Sequence, residues 1–409
     1  MNKIIRSRHL WIYIILLASL LLLTGEIINS RFTMHDLEVY YRTAVRMLQG
    51  SELYRIESDG HYVYKYSPTA GMYFIPLTVL PFGAAKIVYW LLLTAIAIVV
   101  LQLLFRTVSD AAPALSVGRK NTILLLAFLA VGAHIHREWH LGQVNLVLLA
   151  LYVTILVLWL SKSYSLAAIV LAASLFIKPF GLIFFPYLIL KKRYDMLLVS
   201  AVSVVLLGLL PFLLYPSAEA FSQLYKSWFQ ELLIEMEAKQ DLLQEGNHTI
   251  FSVLARYSPL RYLLQTATAI KVYQLVLLAA LAGYIWLYIR MGTYLKKSAA
   301  TEIALLIAFI PLFAFTSQNA FLFALPCIVL LLYSFPRSST AAKTLTVSGC
   351  LLIGINIRDL MGGNLYRLLE GASIYTFGTV ALMVALTLQR YQLYKDSKTK
   401  SSQLQNKLA

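Results

Sequence analysis

Charge is what this sequence has least of. Only 13% of its 409 residues are Asp, Glu, Lys or Arg, about half the share of a typical soluble domain. Two or three soluble domains would need charged surfaces. A chain that is 59% hydrophobic, with a mean hydropathy of +0.71, has too few charges to supply them. Cysteine is nearly absent too. Cys327 and Cys350 both sit inside apolar runs and read as small buried residues rather than a disulfide or metal pair. There is no internal repeat, no low-complexity tract and no separate soluble domain. What is left is an all-α, polytopic membrane protein.

The charges that are present are unbalanced, 35 basic against 19 acidic. In a membrane protein such an excess is topological, because Lys and Arg collect on the cytoplasmic side, so no nucleic-acid partner is inferred from it. Lys3, Arg6 and Arg8 precede an apolar run from Leu10 to Ile28. That run is long enough to span and no small-residue cleavage site follows, which makes it an uncleaved first helix rather than a signal peptide. Further apolar runs at 84–105, 121–135, 143–160, 165–177, 179–190, 196–215, 269–289, 302–316, 320–335, 343–357 and 373–389 bring the expectation to about 12 spans in a single membrane domain. On this layout the cytoplasmic segments hold 20 Lys/Arg and 4 Asp/Glu and the outer segments 12 and 15, with Lys86, Lys178 and Lys271 left at or within spans. Both termini then face the cytoplasm. The stretch 66–82, broken by Pro68, Pro76 and Pro81, reads as a re-entrant or juxtamembrane pair of turns.

Two long outer segments, 29–65 and 216–268, interrupt the spans. Leu37, Tyr40, Tyr41, Ala44, Val45 and Leu48 recur at helical spacing opposite Glu38, Arg42 and Arg46, and Gly50 ends the pattern. Phe221, Leu224, Tyr225, Trp228, Phe229, Leu232, Leu233 and Met236 repeat it opposite Glu231 and Glu235. Such helices lie in the interface with the apolar face in the acyl boundary.

Polar residues gather at the same outer level. They run Thr33-Met-His-Asp36-Leu-Glu38-Val-Tyr40, Gly50-Ser-Glu-Leu-Tyr54 and Tyr62-Val-Tyr64-Lys65-Tyr66-Ser-Pro68. Then come His134-Ile-His136-Arg137-Glu138-Trp-His140-Leu-Gly142-Gln143-Val-Asn145, read as a loop, and Lys178-Pro179 at the tip of a hairpin of short spans. Gly246-Asn247-His248-Thr249 leading to Arg256-Tyr257, and Phe315-Thr-Ser317-Gln318-Asn319, complete the set.

An early Asp, a Gly-x-x-Leu-Tyr, a Tyr-x-Tyr-x-x-Pro, then Gly-Gln-x-Asn, Lys-Pro and Asn-x-Thr, in that order over about residues 10 to 390, resembles glycosyltransferase family 87, membrane enzymes of the GT-C superfamily. Each motif is weak alone; their order across the spans is specific. The resemblance implies a GT-C fold and an inverting transfer of a hexose, most often mannose. The donor would be a polyprenyl-phosphate sugar and the acceptor a lipid or glycan, outside the cytoplasm. One departure is plain. Where some relatives carry a His, this chain has Ser317-Gln318-Asn319.

The chemistry fits that implication. A polyprenyl-phosphate sugar keeps its tail in hydrocarbon and its anomeric carbon at headgroup level. Phosphate is a good leaving group, so no strong acid is required. The needs are a carboxylate to take the acceptor's proton and cations for the departing phosphate. Asp36 is the candidate base. Lys178, Arg137 and Arg256 are candidates for the phosphate, and Glu38, Tyr66, His140, Gln143, Asn145, Asn247 and His248 for the substrates. No cofactor or metal is expected, and the absence of a nucleotide-binding Gly-rich loop or D-x-D motif argues against a nucleotide-sugar donor. An inner (plasma) membrane with an extracytoplasmic site is the compatible location.

Each residue also has a structural reading. Thr33-x-x-Asp36 matches a capping box, Glu38 and Arg42 an i, i+4 surface pair. Gln143 and Asn145 can cap the following span, and Lys178 can snorkel to the interface. His136-x-x-x-His140 with Glu138 hints at a metal without a third ligand in view. The Tyr-rich stretch 54–66 can stack on sugar or anchor at the interface. Asn247-His248-Thr249 is formally a glycosylation sequon. The rival reading of the whole is a transporter or flippase of a lipid-linked sugar, which would show repeats and midplane ionisable groups.

Overall fold

A computed structural model of the chain describes residues 7, 9–109, 115–238, 241–244, 246–292, 298–313 and 318–408. Lys3, Arg6, Arg8 and Ser317 lie outside that set. Among the described residues every regular element is helical.

The apolar runs reappear as helices with boundaries shifted by a few residues. They include Leu10–Ile28, Phe82–Ser109, Val117–Ala130, Asn145–Leu160, Tyr164–Ile177, Tyr194–Gly208, Ala267–Met291, Ala299–Phe313 and Thr340–Gly354. Short polar residues start several of them. Ser116, Thr266 and Ser339 each accept a backbone N–H three residues on, from Arg119, Ala269 and Ala342. By length and composition, five helices among the described residues can cross a membrane: Leu10–Ile28, Phe82–Ser109, Tyr194–Leu213, Ala267–Met291 and Gln318–Arg337. A sixth crossing arises if Thr340–Gly354 and Arg358–Gly371, bent by 98°, count as one. Other apolar helices, such as Asn145–Leu160 and Tyr164–Ile177, are 10–17 residues long, short of the ~20 that a full crossing takes. The helix Arg358–Gly371, where no span was expected, carries Asp359, Arg367 and Glu370 and lacks the apolar run that marks the others.

Packing divides the chain into two compact units. One is built from His9–Gln102 and Ile135–Gln240, the other chiefly from Leu103–His134 and Asp241–Ala409. In the first, Tyr164–Ile177 packs against both Asn145–Leu160 and Tyr194–Gly208. A tight turn with Lys162 at φ 62° joins Tyr164–Ile177 to Asn145–Leu160. In the second, Thr340–Gly354 lies along Ile374–Leu408, and Ala299–Phe313 packs on Leu325–Ser334.

Two sequence expectations need correction here. The helix His35–Leu48 forms, but its buried face is Leu37, Tyr40, Thr43, Ala44 and Met47, while Leu48 is exposed. The helix Ala218–Ala238 is turned further. Its expected polar face points into the protein: Glu231 is 1% exposed and meets Arg55 at 2.7 Å, and Glu235 meets Lys65 at 2.6 Å. Phe229, Leu233 and Ile234 are left on the surface. Two ion pairs to the 49–66 segment outweigh the apolar pattern because the outward face of a membrane protein costs an apolar side chain little.

The close contact between Thr340–Gly354 and Ile374–Leu408 depends on glycine. A Cβ on Gly349 would lie 2.7 Å from Leu382 Cγ and 2.9 Å from the Gly378 carbonyl oxygen. Small residues at such crossings let backbones approach. Gly349→Val should lower stability by about 1–3 kcal/mol through overpacking, read as a fall in the thermal unfolding midpoint of the purified protein, with Gly349→Ala milder. An unchanged midpoint for the valine variant would mean that the helices do not meet there.

Candidate active site

The site in the first unit is built at breaks between helices. The helix Gly132–Leu141 ends at Gly142, which sits at φ +70°. A Cβ there would come within 2.6 Å of Leu37 Cβ and 3.2 Å of Leu37 N. Only glycine lets this turn press onto the first turn of His35–Leu48, and that contact brings Gln143 to Asp36. The Gln143 Nε2 donates to Asp36 Oδ2 at 2.5 Å. The Tyr89 hydroxyl donates to the Gln143 carbonyl at 3.0 Å and fixes the turn from the other side.

From Gln143 a chain of hydrogen bonds continues. Asn145 Nδ2 donates to Gln143 Oε1 at 2.8 Å and to Glu138 Oε1 at 2.7 Å. Lys178 Nζ donates to Asn145 Oδ1 at 2.8 Å. Glu138, fully buried, accepts the Leu146 N–H at 2.9 Å with its other oxygen, so it caps the start of Asn145–Leu160 from outside that helix. A carboxylate and an ammonium are thus joined through two side-chain amides.

Lys178 follows the last residue of Tyr164–Ile177, in extended backbone geometry. The chain then turns back: a Cβ on Gly181 would lie 2.9 Å from Leu171 and 3.0 Å from Ser174. Ser67 staples a second segment to this corner. Its hydroxyl donates to the Phe176 carbonyl at 2.8 Å and accepts the Ala70 N–H at 3.1 Å, capping Pro68–Met72. Tyr66 therefore stands beside Lys178, whose Nζ is 5.8 Å from the Tyr66 ring centre and 5.4 Å from that of Phe180. The Tyr66 hydroxyl meets that of Tyr40 at 3.1 Å. An ammonium over aromatic faces keeps its charge partly desolvated and directed.

Burial pushes the Asp36 carboxyl above its ordinary range; the Gln143 hydrogen bond and the Lys178 ammonium pull it back, with smaller help from His35 and Lys65. The capping-box alternative for this residue does not hold. The helix is capped at Met34, at φ 52°, with no side-chain bond, and the Asp36 carboxylate goes to Gln143 instead.

The remaining candidates lie elsewhere. Glu38 pairs with Arg42, which also reaches Asp59 at 3.4 Å, so it belongs to a surface ion cluster. The 134–145 stretch is largely helix rather than loop, and this separates its side chains. Glu138 enters the amide chain, whereas His140 meets Glu26 Oε2 at 2.9 Å and His136 faces Glu26 Oε1 at 3.5 Å. Arg137 is on the same helix, about 100° from Glu138 around its axis. Asn247, His248 and Arg256 belong to the second unit. There the Asn247 carbonyl oxygen of the side chain accepts from Thr249 N at 3.1 Å and Thr249 Oγ1 at 2.8 Å, forming a turn that buries the sequon asparagine. Arg256 donates to the carbonyls of Gly371 at 2.9 Å and Asn247 at 3.0 Å and to the Ser373 hydroxyl at 2.5 Å. His248 lies 3.0 Å from the same hydroxyl, and burial beside Arg256 pushes its imidazole down to about 4, so it is neutral at neutral pH. Gln318, at the start of the 3-10 helix Gln318–Ala324, bridges Tyr375 and Tyr366 at 2.7 Å each.

Sequence reasoning missed Glu138 as a partner of Asn145, and Glu26 as a partner of His140. Glu26 had a signal: a carboxylate near the end of an apolar helix is costly without a partner. Among the described residues no three His, Cys, Asp or Glu side chains are grouped to hold a metal ion.

The family profile of glycosyltransferase family 87 matches residues 64–315, well over half of the chain. The chain belongs to that family. No curated protein matches it. Membership makes this member a membrane glycosyltransferase and decides against the flippase reading.

Because burial raises the Asp36 carboxyl, protonation favours the folded state. That stability is complete below the unfolded carboxyl's range and is lost as pH rises through the raised value. Above the raised value the folded protein bears the cost of a buried charge. Asp36→Asn should therefore unfold at the same temperature as this family member's wild type or higher at pH 7.5, by differential scanning fluorimetry, with the gap closing in acid. A large fall in the midpoint would assign the residue a structural role.

Proposed function

We propose that this glycosyltransferase moves a hexose, mannose by the family resemblance, from a polyprenyl-phosphate donor to a lipid or glycan acceptor at the extracytoplasmic face of an inner (plasma) membrane. About 12 passes, short ones included, would bring the site to that face. The observation that supports the reading is the single hydrogen-bonded chain from Asp36 to Lys178, with a base at one end and a cation at the other.

In the reaction, an acceptor hydroxyl oxygen attacks the anomeric carbon while the bond from that carbon to the phosphate oxygen breaks. The hydroxyl proton passes to Asp36. The electron pair leaves with the polyprenyl phosphate, whose growing charge is met by Lys178. One displacement inverts the anomeric centre. Burial suits Asp36 to the task, since a carboxylate with raised proton affinity accepts a proton more readily. Tyr66 offers a ring beside the cation on which a sugar can lie, and Gln143 and Asn145 offer amides that can bond sugar hydroxyls.

The test is transfer of label from a short-chain polyprenyl-phosphomannose to membrane extract by the purified enzyme. Asp36→Asn should reduce transfer by at least about 10³-fold with the protein folded, and Lys178→Met should weaken both donor binding and turnover, as expected of a group that meets charge developing in the transition state. Full activity in Asp36→Asn would overturn the assignment of the base. Transfer from a nucleotide sugar but not from the lipid-linked one would overturn the donor class.

A further inference from the structure

We propose that Glu138 is a positioning residue that sets the proton affinity of Asp36 through the side-chain amides of Asn145 and Gln143. This rests on the role proposed above for Asp36, but only for its catalytic meaning; the hydrogen-bond coupling stands independently.

The argument follows from which atoms can donate. Both neighbours of the Glu138 carboxylate are donors, Asn145 Nδ2 at 2.7 Å and Leu146 N at 2.9 Å. An ionised carboxylate is acceptor-only and suits both. Asn145 Nδ2 has a second acceptor in Gln143 Oε1 at 2.8 Å, while its Oδ1 faces the Lys178 ammonium, also a donor, at 2.8 Å. One orientation of the Asn145 amide satisfies all three partners. That orientation in turn leaves Gln143 no choice: its oxygen faces Asn145, and its nitrogen must donate to Asp36 at 2.5 Å. A flipped Gln143 would set a carbonyl oxygen against the carboxylate. Acceptor character at Glu138 is thus passed, amide by amide, to a donor at Asp36.

Burial pushes the Glu138 carboxyl up to about 7, against the donors from Asn145 and Leu146 and the charge of Lys178. Its ionisation is then within reach of working pH, and with it the strictness of the relay. The charged or titratable groups around Asp36 are His35 on its own helix, Lys65, Lys178, and the phenols of Tyr40, Tyr66 and Tyr89.

Glu138→Gln separates the relay from simple charge. Removing a negative neighbour by itself lowers the proton affinity of Asp36. Breaking the relay does the reverse, because a glutamine amide keeps an acceptor at only one of the two carboxylate oxygen positions and sets a donor at the other, and the Asn145 or Gln143 amide is released to turn. The titration is read by infrared spectroscopy of the purified protein in detergent, following the carboxyl band that Asp36→Asn removes, so no substrate is involved. The expected result is a rise of about one unit in the Asp36 midpoint, a tenfold gain in proton affinity. It should vanish when Glu138→Gln is made on a Gln143→Met background. The acid limb of the transfer reaction should move up by the same amount. A midpoint that falls or stays put in a folded Glu138→Gln protein overturns the proposal and leaves Glu138 as a helix cap. Should Glu138→Gln not fold, Asn145→Ser replaces it: a hydroxyl donates one bond where the amide donated two, and an unmoved Asp36 midpoint likewise overturns the relay. A moved midpoint without any transfer activity would uphold the relay and count against the proposed reaction.

Discussion

A buried carboxylate held apart from a lysine ammonium by two side-chain amides is the constraint on which the polar chain of the first unit depends. Set directly against Lys178, Asp36 would form an ion pair, its proton affinity would fall, and the ammonium would be used up. Left alone, it would have its proton affinity raised further by burial. Two amides between the charges resolve the conflict. Gln143 gives Asp36 one donor, which favours its ionised form, while the Asn145 amide oxygen accepts one hydrogen bond from the ammonium. The hydrogen bonds fix the geometry, and the distance between the charges preserves the chemistry of each.

That arrangement needs irregular backbone, which is why the site occupies helix breaks. Gly142 brings a turn onto the backbone of Leu37, Ser67 ties the Tyr66 segment to the end of Tyr164–Ile177, and Lys178 sits where that helix stops. Within hydrocarbon, unpaired backbone groups are forbidden; at a break, side chains such as Glu138 and Ser67 satisfy them. The residues that end helices here are therefore the same residues that assemble the polar chain.

Much of this could be read from the sequence, and the failures have physical causes. Apolar runs translate directly into helices, since length and hydropathy are local properties. Lys178 stood out because a lysine between two apolar runs is costly without a use, and Asp36, Gln143 and Asn145 because they fall in the ordered motifs that resemble the family. Glu138 did not, because its partner Asn145 is reached only once 134–145 folds as a helix and a tight turn rather than a loop. The same misjudgement grouped Glu138 with His136 and His140, whereas the helix sends both histidines to Glu26 and Glu138 to Asn145. In the helix Ala218–Ala238 the apolar pattern pointed the wrong way. In an aqueous protein Phe229 and Leu233 would face inward; in this chain the decisive terms are the bonds from Glu231 and Glu235 to Arg55 and Lys65.

The coupling between the two ends of the chain also bears on how the proposed reaction would be timed. Lys178 lowers the proton affinity of Asp36 as long as its charge is directed at the protein. A donor phosphate beside Lys178 partly neutralises that charge and adds a negative one. Both changes raise the proton affinity of Asp36, so the base becomes stronger as the leaving group is seated. On the proposed relay, Glu138 limits the effect by keeping Gln143 turned toward Asp36, whose donated hydrogen bond lowers the carboxyl's proton affinity. A site with one cation and two buried carboxylates would thus be most basic when donor is present, and least able to pull a proton from water when it is not.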